Sequence, residues 1–222
     1  MSQLGIVVCN YNKKCDLRKC LSAVFKDDLN RIEYEVIVVD NASTDGSVEM
    51  VRALFPAVTI IEKEQNIGGA GGFATGMHHC LEQNHEFVML LDDDATVKAG
   101  AITNLMTFLI SNQNCGCVGA KIIQADNPDY LQEQGGFIDW QKFDVKTPLK
   151  GALNHNLPEV VYCDYTPACC MMTRSSVIRE VGIFDPEHFI YWDDISWCAK
   201  VRERGYKVAA ISAAEASHVM SA

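Results

Sequence analysis

Short apolar runs alternate with amphipathic stretches from the start of the chain. Leu4 to Cys9 reads LGIVVC, and an unbroken apolar run of this length predicts a strand buried on both faces. Asn10-Tyr11-Asn12 ends it. Leu17, Leu21 and Val24 then recur on one helical face, predicting a helix capped by Asp16 and running to about Phe25. EVIVV, at Glu35–Val39, is the second strand, and a helix from about Ser47 to Leu54 and a third strand at Val58–Ile61 follow. The order β-α-β-α-β is half of a doubly wound sheet. A glycine-rich loop, Asn66 to Phe73, leads into a helix reaching about Asn84, and the fourth strand spans Glu86–Leu91.

Beyond it the pattern predicts a helix over Ala99–Ser111 and a strand near Gly116–Ile123. Gln124 to Pro158 reads as a long loop holding a hairpin around Gly135–Val145, and loops of this length are often functional. Strands are expected at Val160–Tyr162 and Thr166–Thr173, and a short helix at Ser175–Val181. A turn at Phe184-Asp185-Pro186 precedes a helix from Ile195 to Arg204, which Gly205 stops. The last expected strand is Tyr206–Ile211, with no closing element after it. The fold class is α/β: one domain with a Rossmann-like, mostly parallel sheet flanked by helices. Its nucleotide-binding half is expected at about 1–95 and its acceptor-side half at about 96–222.

In open α/β sheets ligands bind beyond the carboxyl ends of the strands. Three such ends carry polar loops: Asn10, Tyr11 and Asn12; Asp40 to Asp45; and Asp92-Asp93-Asp94. Alternate residues of an extended segment point the same way, so Asp92 and Asp94 can share one cation while Asp93 turns aside toward the substrate edge. Hard carboxylate oxygens suit Mg2+ or Mn2+, which pair with substrate phosphates. The plainer alternative is a solvated turn capping the next helix. Asp40 can accept a bond from a ribose hydroxyl or a base N–H, or it can hold the Asn41–Gly46 turn, for which Asp45 is also placed.

Asn66, Gly68 and Gly69 allow a backbone to approach a ligand closely, or a helix to start tightly against the sheet. Gly69-x-Gly71-x-x-Ala74 matches the short dinucleotide fingerprint, but it follows the third strand and not the first. Trp192-Asp193-Asp194 sets an aromatic wall beside two carboxylates, one of which can act as a general base. Asp193 is the better placed of the two to cap the helix that follows. His78 and His79 read as ordinary helix residues, and His85, His155 and His188 carry no pattern.

Composition narrows the function. The chain has 222 residues, with 19 basic and 29 acidic side chains and a formal net charge of −10. Such a surface does not suit nucleic acid or anionic lipid. An anionic small molecule would need local positive charge, for which a metal ion is the simplest source. None of the ten cysteines is spaced as C-x2-C. They fall in apolar stretches and read as reduced, buried thiols. No apolar run nears the ~18 residues of a membrane span. The cytosol is the expected compartment, with peripheral association at the inner membrane face as its variant.

Taken together, VCNYN, VVDNASTDGS, NIGGAGGFATG, LLDDDA and WDDISWCAKVRERGYKV resemble, in order and spacing, a family 2 glycosyltransferase of the GT-A fold. The glycine loop with DDDA and WDD is most similar to the galactofuranosyltransferase and rhamnosyltransferase-like branch. The resemblance implies that Asp40 contacts the nucleotide base, that Asp92 and Asp94 ligate a divalent metal on the donor diphosphate, and that Asp194 is the catalytic base. It implies His218 as the remaining metal ligand. A UDP- or dTDP-sugar donor and a glycan or lipid-linked acceptor follow from the same likeness. Two departures stand out: the family commonly has an acid where this chain has Ser196, and it commonly continues past this chain's last residue, which implies a C-terminal truncation. A nucleotidyltransferase is the competing enzyme reading. It would want a glycine-rich basic loop at the first strand, where Asn10-Tyr11-Asn12-Lys13-Lys14 has lysines and no glycine. A domain that binds nucleotide or glycan without turnover is the non-enzymatic one.

Overall fold

The structure, a computed structural model, describes residues 3–27, 29, 32–142 and 144–219. Among them one mixed ten-stranded sheet runs through the molecule. Strands β1 (Leu4–Asn10), β2 (Tyr34–Asp40), β3 (Thr59–Glu62) and β4 (Phe87–Asp92) pair in parallel in the order β4-β1-β2-β3. Their side chains enter two different cores. Leu4, Ile6, Val8, Val36 and Val38 face α1 (Lys14–Lys26) and α2 (Ser47–Leu54), while Val7, Ile37 and Val39 face α3 (Gly68–Glu82). Burial on both faces is why these strands read as continuous apolar runs rather than alternating ones.

The second half adds β5 (Ala95–Val97), α4 (Ala101–Ser111), β6 (Cys115–Gln124), β7 (Leu131–Glu133) and the hairpin β8 (Phe137–Asp139) with β9 (Asp144–Lys146). Then come β10 (Val160–Cys163), β11 (Cys170–Arg174), α5 (Ser175–Val181), α6 (Asp193–Glu203) and β12 (Lys207–His218). Strand β11 lies between β4 and β6 and is antiparallel to both. That reversal brings the start of β11 to the end of β4, where the Asp92 N–H donates to the Cys169 carbonyl at 3.2 Å.

Several local expectations are corrected. Helix α3 begins at Gly68, inside the glycine stretch rather than after it. The expected strand over Thr166–Thr173 forms only from Cys170 onward. Asp16 does not cap α1: the helix starts at Lys14, whose N–H donates to Asp45 at 2.8 Å, and Asp16 pairs with Lys19. Asp193 is the first residue of α6 and not its cap; Trp192, in a left-handed conformation, holds that position.

The largest correction concerns the chain end. Strand β12 does not stop at Ile211. A register shift between Ile211 and Glu215 bends it, the Lys121–Glu215 ion pair at 2.8 Å sits at the shift, and pairing with β6 resumes as far as His218. His218 therefore faces Ala95, one residue past the acidic triplet.

Candidate active site

A cavity of about 660 Å³ opens at the carboxyl ends of β1 and β4. It brings together Tyr11, Asn66, Gly68, Gly69, Asp92, Asp93, Asp94, Trp192, Asp193, Asp194 and His218, all singled out from the sequence. Asn10, Asn12 and Asp40 lie off its lining. Asp40 is buried, with Oδ1 accepting from Asn10 Nδ2 at 2.6 Å and Oδ2 from the Ser43 N–H at 2.9 Å. Asn12 accepts from the Thr44 N–H at 2.7 Å. These three knit the loops after β1 and β2 together.

Asp92, Asp94 and His218 form the acidic end. His218 Nε2 lies 3.0 Å from Asp94 Oδ1 and 3.4 Å from Asp92 Oδ2, and Lys13 Nζ lies 3.3 Å from Asp94 Oδ2. Burial works against a charged His218, but the bonds to Asp92 and Asp94 outweigh it and push its pKa up to about 10. Burial likewise opposes charge on Asp94, yet His218 and Lys13 hold its carboxyl below the usual range. Asp93 turns the other way. Strand β4 ends at Asp92, and Asp93 and Asp94 form the turn into β5, so it is this turn, and not strand alternation, that sends the Asp93 carboxyl to the loop after β1. It is buried and accepts from the Tyr11 N–H at 3.1 Å, and burial with the neighbouring Asp92 charge pushes its pKa up to about 8.

Asp92 and Asp94 each reach the His218 imidazole, and carboxylate oxygens beside an imidazole nitrogen are donors that fit Mg2+ or Mn2+. Cys169 Sγ also lies among the potential ligand atoms, within 4.8 Å of those of Asp92 and His218. Burial holds its pKa well above the ordinary thiol value, so it stays a neutral thiol and a poor ligand for a hard cation. Asp94, the nearer partner of His218, fits the third position better.

The opposite wall is the segment before α6. Phe189, Tyr191 and Trp192 have φ of 57°, 68° and 66°, and Phe189 to Trp192 are each 48–66 % exposed. Left-handed backbone at bulky residues is costly and persists only where surroundings hold it. Here the α3 N-terminus does so: the Ala70 N–H donates to the Phe189 carbonyl at 3.1 Å. Gly68 is required at this seam, since its φ is +75° and a Cβ on it would lie 2.1 Å from the Phe189 oxygen.

Asp194 follows, with Oδ1 accepting from the Ile195 N–H at 2.7 Å and Oδ2 from the Ala168 N–H at 3.3 Å. Burial, then the adjacent Asp193 charge, pushes its pKa up to about 7. That value suits a general base at neutral pH.

Sequence reasoning missed Lys13, Asn41, Gln132, Glu133, Tyr165 and Cys169, all on the cavity wall. Lys13 and Asn41 adjoin recognised motifs and could have been inferred. Gln132 and Glu133 come from the stretch read as loop. Burial raises the Glu133 pKa, and its carboxyl bonds the Tyr165 side chain.

The architecture is the GT-A glycosyltransferase fold. The mannosyltransferase PcManGT from Pyrobaculum calidifontis, solved in complex with GDP-Man and Mn2+, superposes with a TM-score of 0.73 at 19 % identity, covering 99 % of this chain and 57 % of its own. GalNAc-T7, solved with UDP, GalNAc and Mn2+, gives a TM-score of 0.77 at 15 % identity over 99 % of this chain and 44 % of that one. The glycosyl transferase family 2 model matches residues 5–180, and the chain belongs to that family. Similar curated proteins include the galactofuranosyltransferase GlfT1 of Mycobacterium tuberculosis, 30 % identical over 193 residues, covering 85 % of this chain and 61 % of that protein. The glycosyltransferase AglE of Haloferax volcanii is 25 % identical over 217 residues, covering 92 % of this chain and 63 % of its own length. The chain thus spans somewhat under two thirds of the length of these two relatives.

Proposed function

We propose that this chain is the catalytic domain of an inverting, divalent-metal-dependent glycosyltransferase. It moves a hexose from a nucleoside-diphosphate sugar to a hydroxyl of a glycan or a lipid-linked sugar, a UDP- or dTDP-sugar being the donor class. The observation that carries this reading is that one cavity is lined both by carboxylates and an imidazole suited to a cation and by a carboxylate, Asp194, whose pKa burial pushes up to about 7.

The donor diphosphate is placed against Asp92, Asp94 and His218, with the Lys13 ammonium beside it. Mg2+ or Mn2+ bound there would neutralise the charge that develops on the leaving diphosphate. The nucleotide lies toward Tyr11 and Asn66 at the mouths of β1 and β3, above the loop that Asp40 braces. Gly68 and Gly69 give the donor a flat backbone surface at the start of α3. Asp194 accepts the acceptor hydroxyl proton as that oxygen bonds the anomeric carbon, and the bond from this carbon to the diphosphate oxygen breaks. A single displacement inverts the anomeric centre. Trp192 and Tyr191 wall the acceptor side, where an aromatic face can cover a sugar ring. In this reading residues 1–95 supply most of the donor site, which His218 joins from the end of β12, and residues 96–222 otherwise supply the acceptor side.

Asp194→Asn keeps the shape and removes the base. Its kcat should fall about 10²–10⁴-fold, the usual contribution of a general base, while donor KM stays within a few-fold. Turnover near the wild-type rate would take Asp194 out of the role. Pyrophosphate release from a nucleoside triphosphate, with no sugar transferred, would instead favour a nucleotidyltransferase.

A further inference from the structure

Strand β7 pairs with β6 through an irregularity: Ile122 faces Glu133 and Ile123 faces Leu131, so Gln132 is the extra residue of a β-bulge. A bulge breaks the alternation of side chains and re-aims one of them, and bulges recur beside active sites for that reason. Consecutive residues Gln132 and Glu133 consequently both reach the cavity, where a regular strand would send one away. The Gln132 side chain meets His218: its Nε2 lies 3.0 Å from His218 Nδ1. Its Oε1 is buried with no hydrogen-bond partner. The other ring nitrogen of His218 faces Asp92 and Asp94.

An imidazole has two nitrogens, and the bond made by one decides what the other can do. If Gln132 Nε2–H donates to Nδ1, that nitrogen holds no proton, and the ring can be protonated only on Nε2, facing the aspartates. With the carboxamide turned half a revolution, Oε1 accepts from Nδ1–H and leaves a lone pair on Nε2, facing the cation site. The two ends of a carboxamide are nearly isosteric, so the turn gives the orphaned Oε1 a partner and moves Nε2 to the buried position that Oε1 held. The backbone of His218 is already fixed by β5 and β6. Ring orientation and tautomer are what remain to be set.

We propose that Gln132 is the positioning residue of His218, its amide carbonyl holding Nδ1–H so that Nε2 is presented to a divalent cation shared with Asp92 and Asp94. The inference rests on the metal-dependent reading above and adds to it a residue outside every recognised motif. Outer-shell partners of this kind are worth about 10–100-fold in metal affinity.

The test is Mn2+ binding to the full chain without nucleotide, read by the loss of the free-ion paramagnetic signal. Gln132→Met keeps the volume and removes the acceptor; Gln132→Glu keeps an acceptor. Gln132→Met should bind Mn2+ about 10–100-fold more weakly, with an unchanged circular dichroism melt. Gln132→Glu should bind at least as tightly as wild type. Because an added carboxylate also attracts cations, ¹⁵N spectra of the Mg2+-loaded proteins supply the second readout. His218 should carry its proton on Nδ1 with Nε2 on the ion in wild type and in Gln132→Glu, and in Gln132→Met a larger share of His218 should be off the ion at the same Mg2+ concentration. Equal Mn2+ affinity of Gln132→Met and wild type, or a proton on Nε2 in the loaded wild type, would overturn the proposal. Failure of wild type itself to bind Mn2+ at millimolar concentration would overturn the metal reading and this inference with it, and is told apart by needing no variant.

Discussion

Asp194 sits between two tasks. Burial and the Asp193 charge push its pKa up to about 7, so near neutrality the carboxyl titrates in the range where a base is useful. The ionised form takes the proton, so kcat/KM should rise with pH through about 7 and level off above it. Asp193→Asn removes the neighbouring charge that raises this value, and the rising limb should move to lower pH. An unmoved limb would assign the titration to another group. The same shift is a stability statement. The folded pKa lies above the ordinary 3.8, so folding favours the protonated form, and that stabilisation is lost as pH climbs through about 7. Asp194→Asn should therefore raise Tm at pH 8 relative to wild type and change it little at pH 4. A variant that melts higher and turns over more slowly is the expected signature of a group held strained for function.

Among the elements, α3 shows how close packing aims a site. The helix is pressed against the Val7 side chain of β1: a Cβ at Gly76 would sit 2.1 Å from Val7 Cγ1. Gly76→Ala should cost about 1–3 kcal/mol by overpacking. Val7→Ala should recover much of that loss, a coupling that urea unfolding of the single and double variants would measure. Additive losses would mean that the contact is not what separates helix from sheet. The glycine stretch is also a place where sequence reading succeeded and failed at once. Its chemistry was legible because glycines crowd one short segment, but its conformation was not, since Gly68 to Gly72 lie inside a helix despite poor propensity. Packing against the sheet overrides that propensity. The triplet Asp92–Asp94 was legible because three acids at the end of an apolar strand stand out locally, although Asp93 and Asp94 lie in a turn and do not continue the strand's alternation. Gln132 and Glu133 were not, because the bulge that turns both inward exists only through pairing with Ile122 and Ile123. His218 was placed by resemblance alone, as the strand that carries it is interrupted between Ile211 and Glu215 and reads as ending early.

At the scale of the whole molecule, the difficulty is an anionic donor approaching a chain of net charge −10. Within the cavity the nearest fixed cations are Lys13, about half exposed, and His218, which already faces two aspartates. Like charge at this density repels a diphosphate unless a divalent ion lies between. UDP should therefore bind weakly alone and tightly with Mn2+, and its affinity should collapse in EDTA. The cation would also tie together pieces of chain far apart in sequence, Asp92 and Asp94 after β4 and His218 at the end of β12, so binding should stabilise the global fold. At a ligand concentration of about 100 Kd the linkage is worth about 2.7 kcal/mol. For a domain of this size that is a rise in Tm of about 5–10 °C. Asp92→Ala and Asp94→Ala should each abolish the Mn2+-dependent part of the rise and leave any Mn2+-independent part. A rise of equal size with and without Mn2+ would locate the diphosphate away from the aspartates. The same melt with UDP-, dTDP- and GDP-sugars ranks the donors, because differences in Tm at fixed Mn2+ then report what the cavity makes of the nucleoside and the sugar rather than of the diphosphate.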